Sequence, residues 1–251
     1  KDYNINRYLK DHLIWLNQGL GLDNKDITVH EDVWAGGGNF GPCVEFFSKG
    51  LELSNQVYMQ YEATQSGSKE LRIKVLDMGQ GQERASWFTQ GKASIYETVF
   101  PPAVEFLKKQ TGVEYDEEFM KKFVPLSSYL NAGEVSDLNK AWQDAAKKLN
   151  LTTKELRDKV LPLISLYSVA EHSRALLVAL HDGALPSNVG GMYNLRVILR
   201  RALSFIDRFE WTFDFCSLLE IHAKYLKDFY PELSDSIENV KKILDVEKVK
   251  Y

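Results

Sequence analysis

Parts of the first hundred residues alternate between apolar and polar side chains, and a period of two is the period of a β-strand. The alternation is clearest over residues 54–61 and 71–77, and residues 65–68 between them are turn-forming types. Two alternating stretches joined by a short turn predict a β-hairpin, and therefore an antiparallel sheet. Apolar positions with helical spacing over residues 7–17 predict one helix before this sheet.

From residue 103 onward the apolar residues follow the 3.6-residue period of a helix, just after the pair Pro101 and Pro102. The predicted helices cover residues 103–111, 117–123, 137–150, 153–182, 192–209, 213–230 and 234–249. We therefore predict an α+β fold, with an antiparallel sheet in a first domain, residues 1–110, and a mostly α-helical second domain, residues 111–251.

The composition is that of a soluble globular protein, with 44% apolar residues, 26% charged residues and a net charge of −4 over 251 residues. No uninterrupted apolar run reaches the roughly 18 residues of a membrane helix, so we predict no membrane partner. The two cysteines, Cys43 and Cys216, are too few for a disulfide framework, which favours a cytoplasmic location. The negative net charge disfavours general attraction to nucleic acid, although a local basic surface is compatible with it.

The first candidate site is residues 74–84, where an alternating strand passes through two glycines into a predicted helix start. Asp77 shares its strand face with a row of apolar residues, and a carboxylate there is paired, protonated or available to a cationic ligand. Gly79 and Gly81 permit a close backbone approach, and Arg84 lies where helix N-termini bind phosphate. These residues predict a site for a small amine and a nucleotide. The alternative for Asp77 is a structural ion pair.

Asn55 and a glycine-rich stretch also bear on this site. Asn55 lies in the first strand of the hairpin, and it lines one pocket with Asp77 if the faces of the two residues meet. Residues 36–41 are glycine-rich and follow Trp34, between two predicted short strands. Such a loop either cradles a ligand through its backbone N–H groups or is only a tight turn. Trp34 itself is either part of the site or an ordinary core aromatic residue.

The second candidate site is the loop and helix around residues 181–209. Arg196 and Arg200 lie one turn apart on the same flank of the predicted helix, and Asn188 lies in the loop before it. The arginines either form a solvated or salt-bridged face, or they contact the phosphates of a nucleic acid. In the second case Asn188 is free to reach a base edge.

Several stretches, taken together and in order, resemble the alanyl-tRNA synthetases of the archaeal type. Residues 77–84 resemble the third signature motif of class II synthetases. The other matching stretches are Trp34 with residues 38–45, and residues 55–61, 169–174 and 182–201. The resemblance extends over most of the chain and is weakest over residues 111–151. It implies that residues 1–110 are the later part of a class II aminoacylation domain and residues 111–251 a tRNA-recognition domain.

The resemblance also implies ligands for the first site. Asp77 would hold the α-ammonium group of alanine. The alanine side chain would be surrounded by three residues, namely Trp34, Asn55 and Gly79. Arg84 would grip ATP toward its γ-phosphate, with Gly81 also at the nucleotide, and the parent enzyme would use ATP with Mg²⁺.

For the second site the resemblance implies the acceptor stem of tRNA(Ala) as the partner, and no DNA. Asn188 would read a G·U wobble pair, and Arg200 would hold phosphate nearby. Arg196, one turn from Arg200, is the other candidate residue for tRNA binding. Three helix residues depart from the usual family pattern, namely Gly191, Met192 and Val197. Gln82 departs from it in the third motif, without a physical explanation.

Three other family features have no counterpart in this sequence. We find neither the first signature motif nor the second, which carries the arginine for the α-phosphate. The zinc-binding editing domain is also absent, so we expect no metal site and no cofactor bound to this chain. We therefore expect an internal fragment of an alanine–tRNA ligase, inactive in forming the adenylate. The alternatives are a non-catalytic module that binds an RNA acceptor stem, and a helical protein-interaction domain.

Overall fold

The computed structural model describes residues 3–130 and 136–251, which cluster into two compact units. The first, the sheet unit, is Lys1–Val99, and the second, the helical unit, is Phe100–Tyr251. This division lies at residues 99 and 100, whereas the sequence pattern placed the domain boundary at residues 110 and 111. The helix Pro101–Thr111 accounts for the difference, because it packs against helices of the second unit.

Residues 3–99 of the sheet unit form four strands and three helices. They are α1 (Ile5–Gln18), β1 (Thr28–Gly36), β2 (Asn39–Ser48), β3 (Leu51–Thr64), β4 (Gly67–Gln80), α2 (Gln82–Gln90) and α3 (Ile95–Val99), with one 3₁₀ turn at Asn24–Asp26. The strands form one antiparallel sheet in the order β1-β2-β3-β4. The predicted hairpin is confirmed as β3 and β4, and both strands extend beyond the residues whose alternation predicted them.

Helix α1 covers one face of this sheet. Asn4 begins the helix by accepting a hydrogen bond from the Arg7 backbone N–H at 3.0 Å. Leu16 of the helix is fully buried against Phe46 of β2. The His12 ring also lies 2.7 Å from the Ser54 hydroxyl. Since neighbouring side chains of a strand point to opposite faces, Asn55 belongs to the other face of the sheet.

The glycine-rich stretch is a tight turn. Strands β1 and β2 pair as far as Gly36 and Asn39, so only Gly37 and Gly38 connect them. Both residues have positive φ, 61° and 84°, which the two-residue turns of twisted hairpins require and which glycine adopts without strain. The tight-turn alternative is therefore confirmed for this stretch, and the two strands beside it are nine and ten residues long rather than short.

The helical unit is built around one long helix. Its helices are α4 (Pro101–Thr111), α5 (Glu117–Ser127), α6 (Leu138–Lys148), α7 (Thr153–His181), α8 (Tyr193–Arg208), α9 (Phe215–Leu226) and α10 (Glu232–Lys248). Helix α7 starts at a capping box, in which Thr152 and Glu155 satisfy each other's backbone N–H groups. It packs against α4, α6, α8, α9 and α10.

Helix α7 is also apolar enough to meet a membrane-helix criterion. Its most apolar 18-residue window has a mean hydropathy of 1.2, although polar and charged residues interrupt the apolar sequence. In the folded protein 56% of that window is buried. Packing against the surrounding helices accounts for these apolar residues, as in the core helix of a globular unit.

Candidate functional site

Four of the predicted ligand residues line one open cleft of about 530 Å³ in the sheet unit. They are Asn55, Gly79, Gly81 and Arg84. The cleft lies where β4 ends and α2 begins, and residues of β3 form its other wall. Because β3 and β4 pair side by side, residues distant in sequence meet at this point.

Glu52 connects two of these residues, and the sequence did not single it out. Its Oε2 accepts a hydrogen bond from Arg84 Nη1 at 2.8 Å, and its Oε1 accepts one from Asn55 Nδ2 at 3.1 Å. Glu52 and Asn55 are three residues apart and would lie on opposite faces of a regular strand. The register of β2 with β3 shifts here, since Phe46 pairs with Ser54 and Phe47 with Glu52. This bulge brings the Glu52 side chain to the face of Asn55.

Gly79 lies directly across from Asn55 in the β3–β4 pair. A Cβ atom added at Gly79 would lie 2.5 Å from Asn55 Oδ1, which is closer than real contacts allow. The glycine therefore makes room for the amide of Asn55. This physical requirement is independent of any ligand.

Asp77 lies one row along the same face of the sheet. It pairs with Val57, while Asn55 pairs with Gly79, so Asn55 and Asp77 are diagonal neighbours about 7–8 Å apart. The Asp77 side chain is exposed and has no hydrogen bond or ion pair with residues 3–130 or 136–251. The structural ion-pair alternative is therefore wrong within this part of the chain. The apolar row beside it is not buried either, since Val75 is 50% exposed.

Trp34 lies on this face of the sheet but does not line the cleft. Its partner in β2 is Gly41, and strands β2 and β3 separate it from β4, so Trp34 and Asp77 are about 14 Å apart across the sheet. The indole ring lies over Gly36, where an added Cβ would be 2.2 Å from the Trp34 ring. Trp34 is 41% exposed, so it is not a core aromatic residue. Neither Trp34 nor Asp77 lines the cleft.

His30, Asp32 and Glu45 form a cluster that the sequence reasoning missed. One potential metal-ligand atom from each residue lies within 4.8 Å of the other two. His30 and Glu45 are cross-strand partners, and His30 Nδ1 lies 2.9 Å from Glu45 Oε2. This hydrogen bond explains the proximity of the side chains without an ion. The expectation that the chain has no metal site of its own stays a prediction.

In the helical unit, one guanidinium group joins the loop before α8 to helix α10. Arg196 Nε lies 2.7 Å from Glu247 Oε2, and Arg196 Nη2 lies 3.0 Å from Glu247 Oε1. Arg196 Nη1 also donates to the side-chain oxygen of Asn188. The side chains of Arg196 and Glu247 are only 11% and 6% exposed. The Arg196 hydrogen bonds lower the pKa of Glu247 to about 2 and raise the pKa of Arg196.

Arg200 lies one turn further along α8 and is exposed. Its Nη2 donates to the backbone oxygen of Lys250 at 3.1 Å, and its other N–H groups make no hydrogen bond with the described residues. Asn188 is also exposed, in the loop of residues 182–192. Arg196 thus has the geometry of the salt-bridged alternative, whereas Arg200 and Asn188 remain accessible to a partner.

Comparison with known proteins gives a family and several relatives. The family model described as tRNA synthetases class II (A) matches residues 2–251. The chain is 49% identical over 238 residues to an alanine–tRNA ligase of Methanocella arvoryzae, covering 94% of this chain and 27% of that protein. It is 38% identical to the alanine–tRNA ligase of Nitrosopumilus maritimus, covering 97% of this chain and 28% of that protein. It is 37% identical to the one from Cenarchaeum symbiosum, with 97% and 28% covered. The chain thus spans about a quarter of the length of these relatives.

Proposed function

Because the chain belongs to the class II tRNA synthetase family, we propose that it is part of an alanine–tRNA ligase, which activates alanine with ATP and transfers it to tRNA(Ala). The names of the three relatives support alanine as the amino acid that is activated. The observation that carries the proposal is the cleft at the end of β4. It contains Arg84, which is suited to nucleotide phosphates, together with residues that lie one row from the unpaired carboxylate of Asp77. Two buried, free cysteines fit a reducing cytoplasm, where we place the protein.

Asp77 is the proposed ligand of the alanine α-ammonium group. Its carboxylate has no protein partner among the described residues, and a cationic ligand next to it would supply one. Asn55 and Gly79 lie one row away from Asp77, where they would border the side chain of a bound alanine. For Trp34 a place in this pocket is implied by the family resemblance alone, since strands β2 and β3 separate it from Asp77.

Arg84 and Gly81 are the proposed contacts to ATP. The Arg84 guanidinium lies in the cleft at the first turn of α2, and planar guanidinium groups bind phosphate oxygens bidentately. The Glu52 carboxylate beside it suits a hard cation such as Mg²⁺, which prefers oxygen ligands. When bound with ATP, Mg²⁺ would neutralise phosphate charge.

The chain by itself is proposed to be inactive in forming the adenylate. Among the residues that line the cleft, Arg84 is the one arginine. Attack on the α-phosphate passes through a charged pentacoordinate phosphorus, and a preorganised positive group there contributes several kcal/mol to catalysis. Alanine-dependent exchange between ATP and pyrophosphate should therefore be undetectable with this chain. Robust exchange would show that the fragment hypothesis is wrong.

Alanine binding tests the assignment of Asp77. We expect alanine to shift NMR signals of the sheet unit, and Asp77→Asn to abolish these shifts by removing the charge that holds the ammonium group. Asp32→Asn is the matched control, because Asp32 is an exposed carboxylate on the same face of the sheet. Equal alanine affinity of wild type and Asp77→Asn would contradict the proposal.

A second candidate function is a non-catalytic module that binds an RNA acceptor stem. The exposed Asn188 and the unused N–H groups of Arg200 favour it, because they offer a base-edge contact and a phosphate contact on one side of α8. RNA binding should then persist in Asp77→Asn. Loss of the preference for a G·U pair over a G·C pair in Asn188→Ala would identify Asn188 as the reader of the wobble pair.

A further inference from the structure

Asn188 is held in place by a neighbour that faces away from solvent. The Asn188 side chain is exposed in a loop, where an amide is ordinarily mobile. Arg196 donates to its oxygen, and Arg196 Nη2 also lies 3.4 Å from the backbone oxygen of Pro186. Because a guanidinium group only donates, the oxygen of the amide must be the atom that faces it. The contact therefore fixes the orientation of the amide as well as its position.

Arg196 is in turn fixed by the end of helix α10. The ion pair with Glu247 uses two parallel N–H···O bonds, and this fork geometry holds a guanidinium plane in one orientation. Lys250 Nζ contacts Glu247 Oε1 at 2.8 Å, and Arg200 donates to the Lys250 backbone oxygen. The last turn of α10 and residue 250 are thus tied to α8 at two successive turns.

A direct phosphate contact through Arg196 conflicts with this geometry. Its Nε and both terminal nitrogens already donate to Glu247, Asn188 and Pro186, and the side chain is 11% exposed. Binding a phosphate would require breaking the buried pair and leaving the Glu247 carboxylate without its main partner, which is costly. Arg200, which is exposed, has no such restriction.

We propose that Arg196, locked by Glu247, is a positioning residue that presents the Asn188 amide for recognition of the wobble pair. This inference rests on the proposed function of Asn188. It makes the end of α10 a determinant of RNA specificity, although no α10 residue needs to touch the RNA. A change in the Arg196–Glu247 pair should alter which base pair is preferred more than how strongly RNA is held.

The test compares the affinities of two RNA minihelices that carry the acceptor stem of tRNA(Ala) with a G·U or a G·C pair. We expect Arg196→Gln and Glu247→Gln each to lower the G·U preference, and Asn188→Ala to abolish it. The double variant Asn188→Ala with Arg196→Gln should show the same preference as Asn188→Ala, because the two residues act as one unit. A G·U preference that stays at the wild-type value in Arg196→Gln, while Asn188→Ala abolishes it, would overturn the inference.

Salt dependence separates positioning from phosphate contact. Arg196→Gln should leave the slope of log affinity against log salt unchanged, whereas loss of a direct phosphate contact would lower it by about 1. Arg200→Gln is the comparison. We expect it to lower this slope and to weaken the binding of both RNAs equally. A lower slope for Arg196→Gln, with an unchanged G·U preference, would show that Arg196 contacts the backbone instead.

Two controls keep the result interpretable. Glu220→Gln removes a different ion pair, the one between Glu220 and Lys241 of α10. It should leave the G·U preference unchanged. Amide hydrogen exchange within residues 187–189 should be faster in Arg196→Gln than in wild type, which reports the loop without RNA. Unchanged exchange would overturn the inference. A wild-type protein that binds both RNAs equally would overturn the proposed function of Asn188 as well.

Discussion

Arg84 Nη1 lies 2.8 Å from Glu52 Oε2, so the arginine proposed for ATP is paired with a carboxylate of the same cleft. Their side chains are 48% and 25% exposed. A pair of this kind is weak enough for a triphosphate to replace it. Glu52 thus holds Arg84 in the cleft and would compete with the phosphates of ATP for it.

Replacing Glu52 should strengthen the binding of metal-free ATP. Glu52→Gln releases Arg84 and removes a charge that repels phosphate, and we expect about two- to fivefold tighter binding, because exposed ion pairs contribute up to about 1 kcal/mol. Competition with a fluorescent ATP analogue in EDTA measures the effect. In the double variant Glu52→Gln with Arg84→Ala, this gain in ATP affinity should be absent. If the gain persists without Arg84, this arginine is not the phosphate ligand.

Replacing Gly79 should disturb Asn55. In Gly79→Ala the new Cβ would lie 2.5 Å from Asn55 Oδ1, so the amide must move and its hydrogen bond to Glu52 is strained or lost. We expect a loss of about 1–3 kcal/mol in the free energy of unfolding, as for other overpacked sites. Urea denaturation checks this, and Asn55→Ser in the Gly79→Ala background should recover part of the loss.

Gly191→Ala is the matched control for Gly79→Ala, because an added Cβ at Gly191 meets nothing within 4 Å and its φ is not in the left-handed region. We expect its free energy of unfolding to stay within about 0.5 kcal/mol of wild type. Equal stability of the two alanine variants would show that the close approach at Asn55 is relieved without cost.

The turn at Gly37 and Gly38 gives a third prediction. Asn tolerates positive φ and Asn-Gly favours this type of turn, so Gly37→Asn should be nearly as stable as wild type. Gly37→Val should lose about 1–2 kcal/mol, because a branched side chain is strained at a φ of 61°. Neither variant should change ATP affinity in the same competition assay. A weaker ATP complex in Gly37→Asn would restore the ligand-cradle interpretation.

The sheet and the helices could be predicted from the sequence because the period of apolar residues directly reports how a regular element is buried. The position of Glu52 beside Asn55 and Arg84 could not be predicted. It depends on a bulge in β3 that changes which side chains share a face, and no local sequence pattern indicates this bulge. Glu247 could not be predicted either, since it lies 51 residues from Arg196 and the pair depends on how α10 packs. The direction of the Trp34 ring is likewise a matter of side-chain packing, which alternation does not determine.

The stability of the helical unit should fall as the pH decreases from about 6.5 to about 4, because of His222. Its Nε2 lies 3.0 Å from the backbone oxygen of Ala170, and burial lowers the pKa of His222 from 6.5 to about 4. In this pH range the unfolded chain binds a proton that the folded chain does not, so acid favours unfolding by up to about 3 kcal/mol. Glu247, with its pKa of about 2, loses its stabilising charge only at lower pH, below about 4.5.

Urea denaturation followed by helical circular dichroism at several pH values would measure this dependence. His222→Gln keeps a side-chain N–H for Ala170 and should flatten the profile between pH 6.5 and 4. His30→Gln replaces an exposed histidine of the sheet unit and should leave the helical profile unchanged. A wild-type slope that persists in His222→Gln would assign the acid sensitivity to another group, because no proton would then be linked to unfolding at this position.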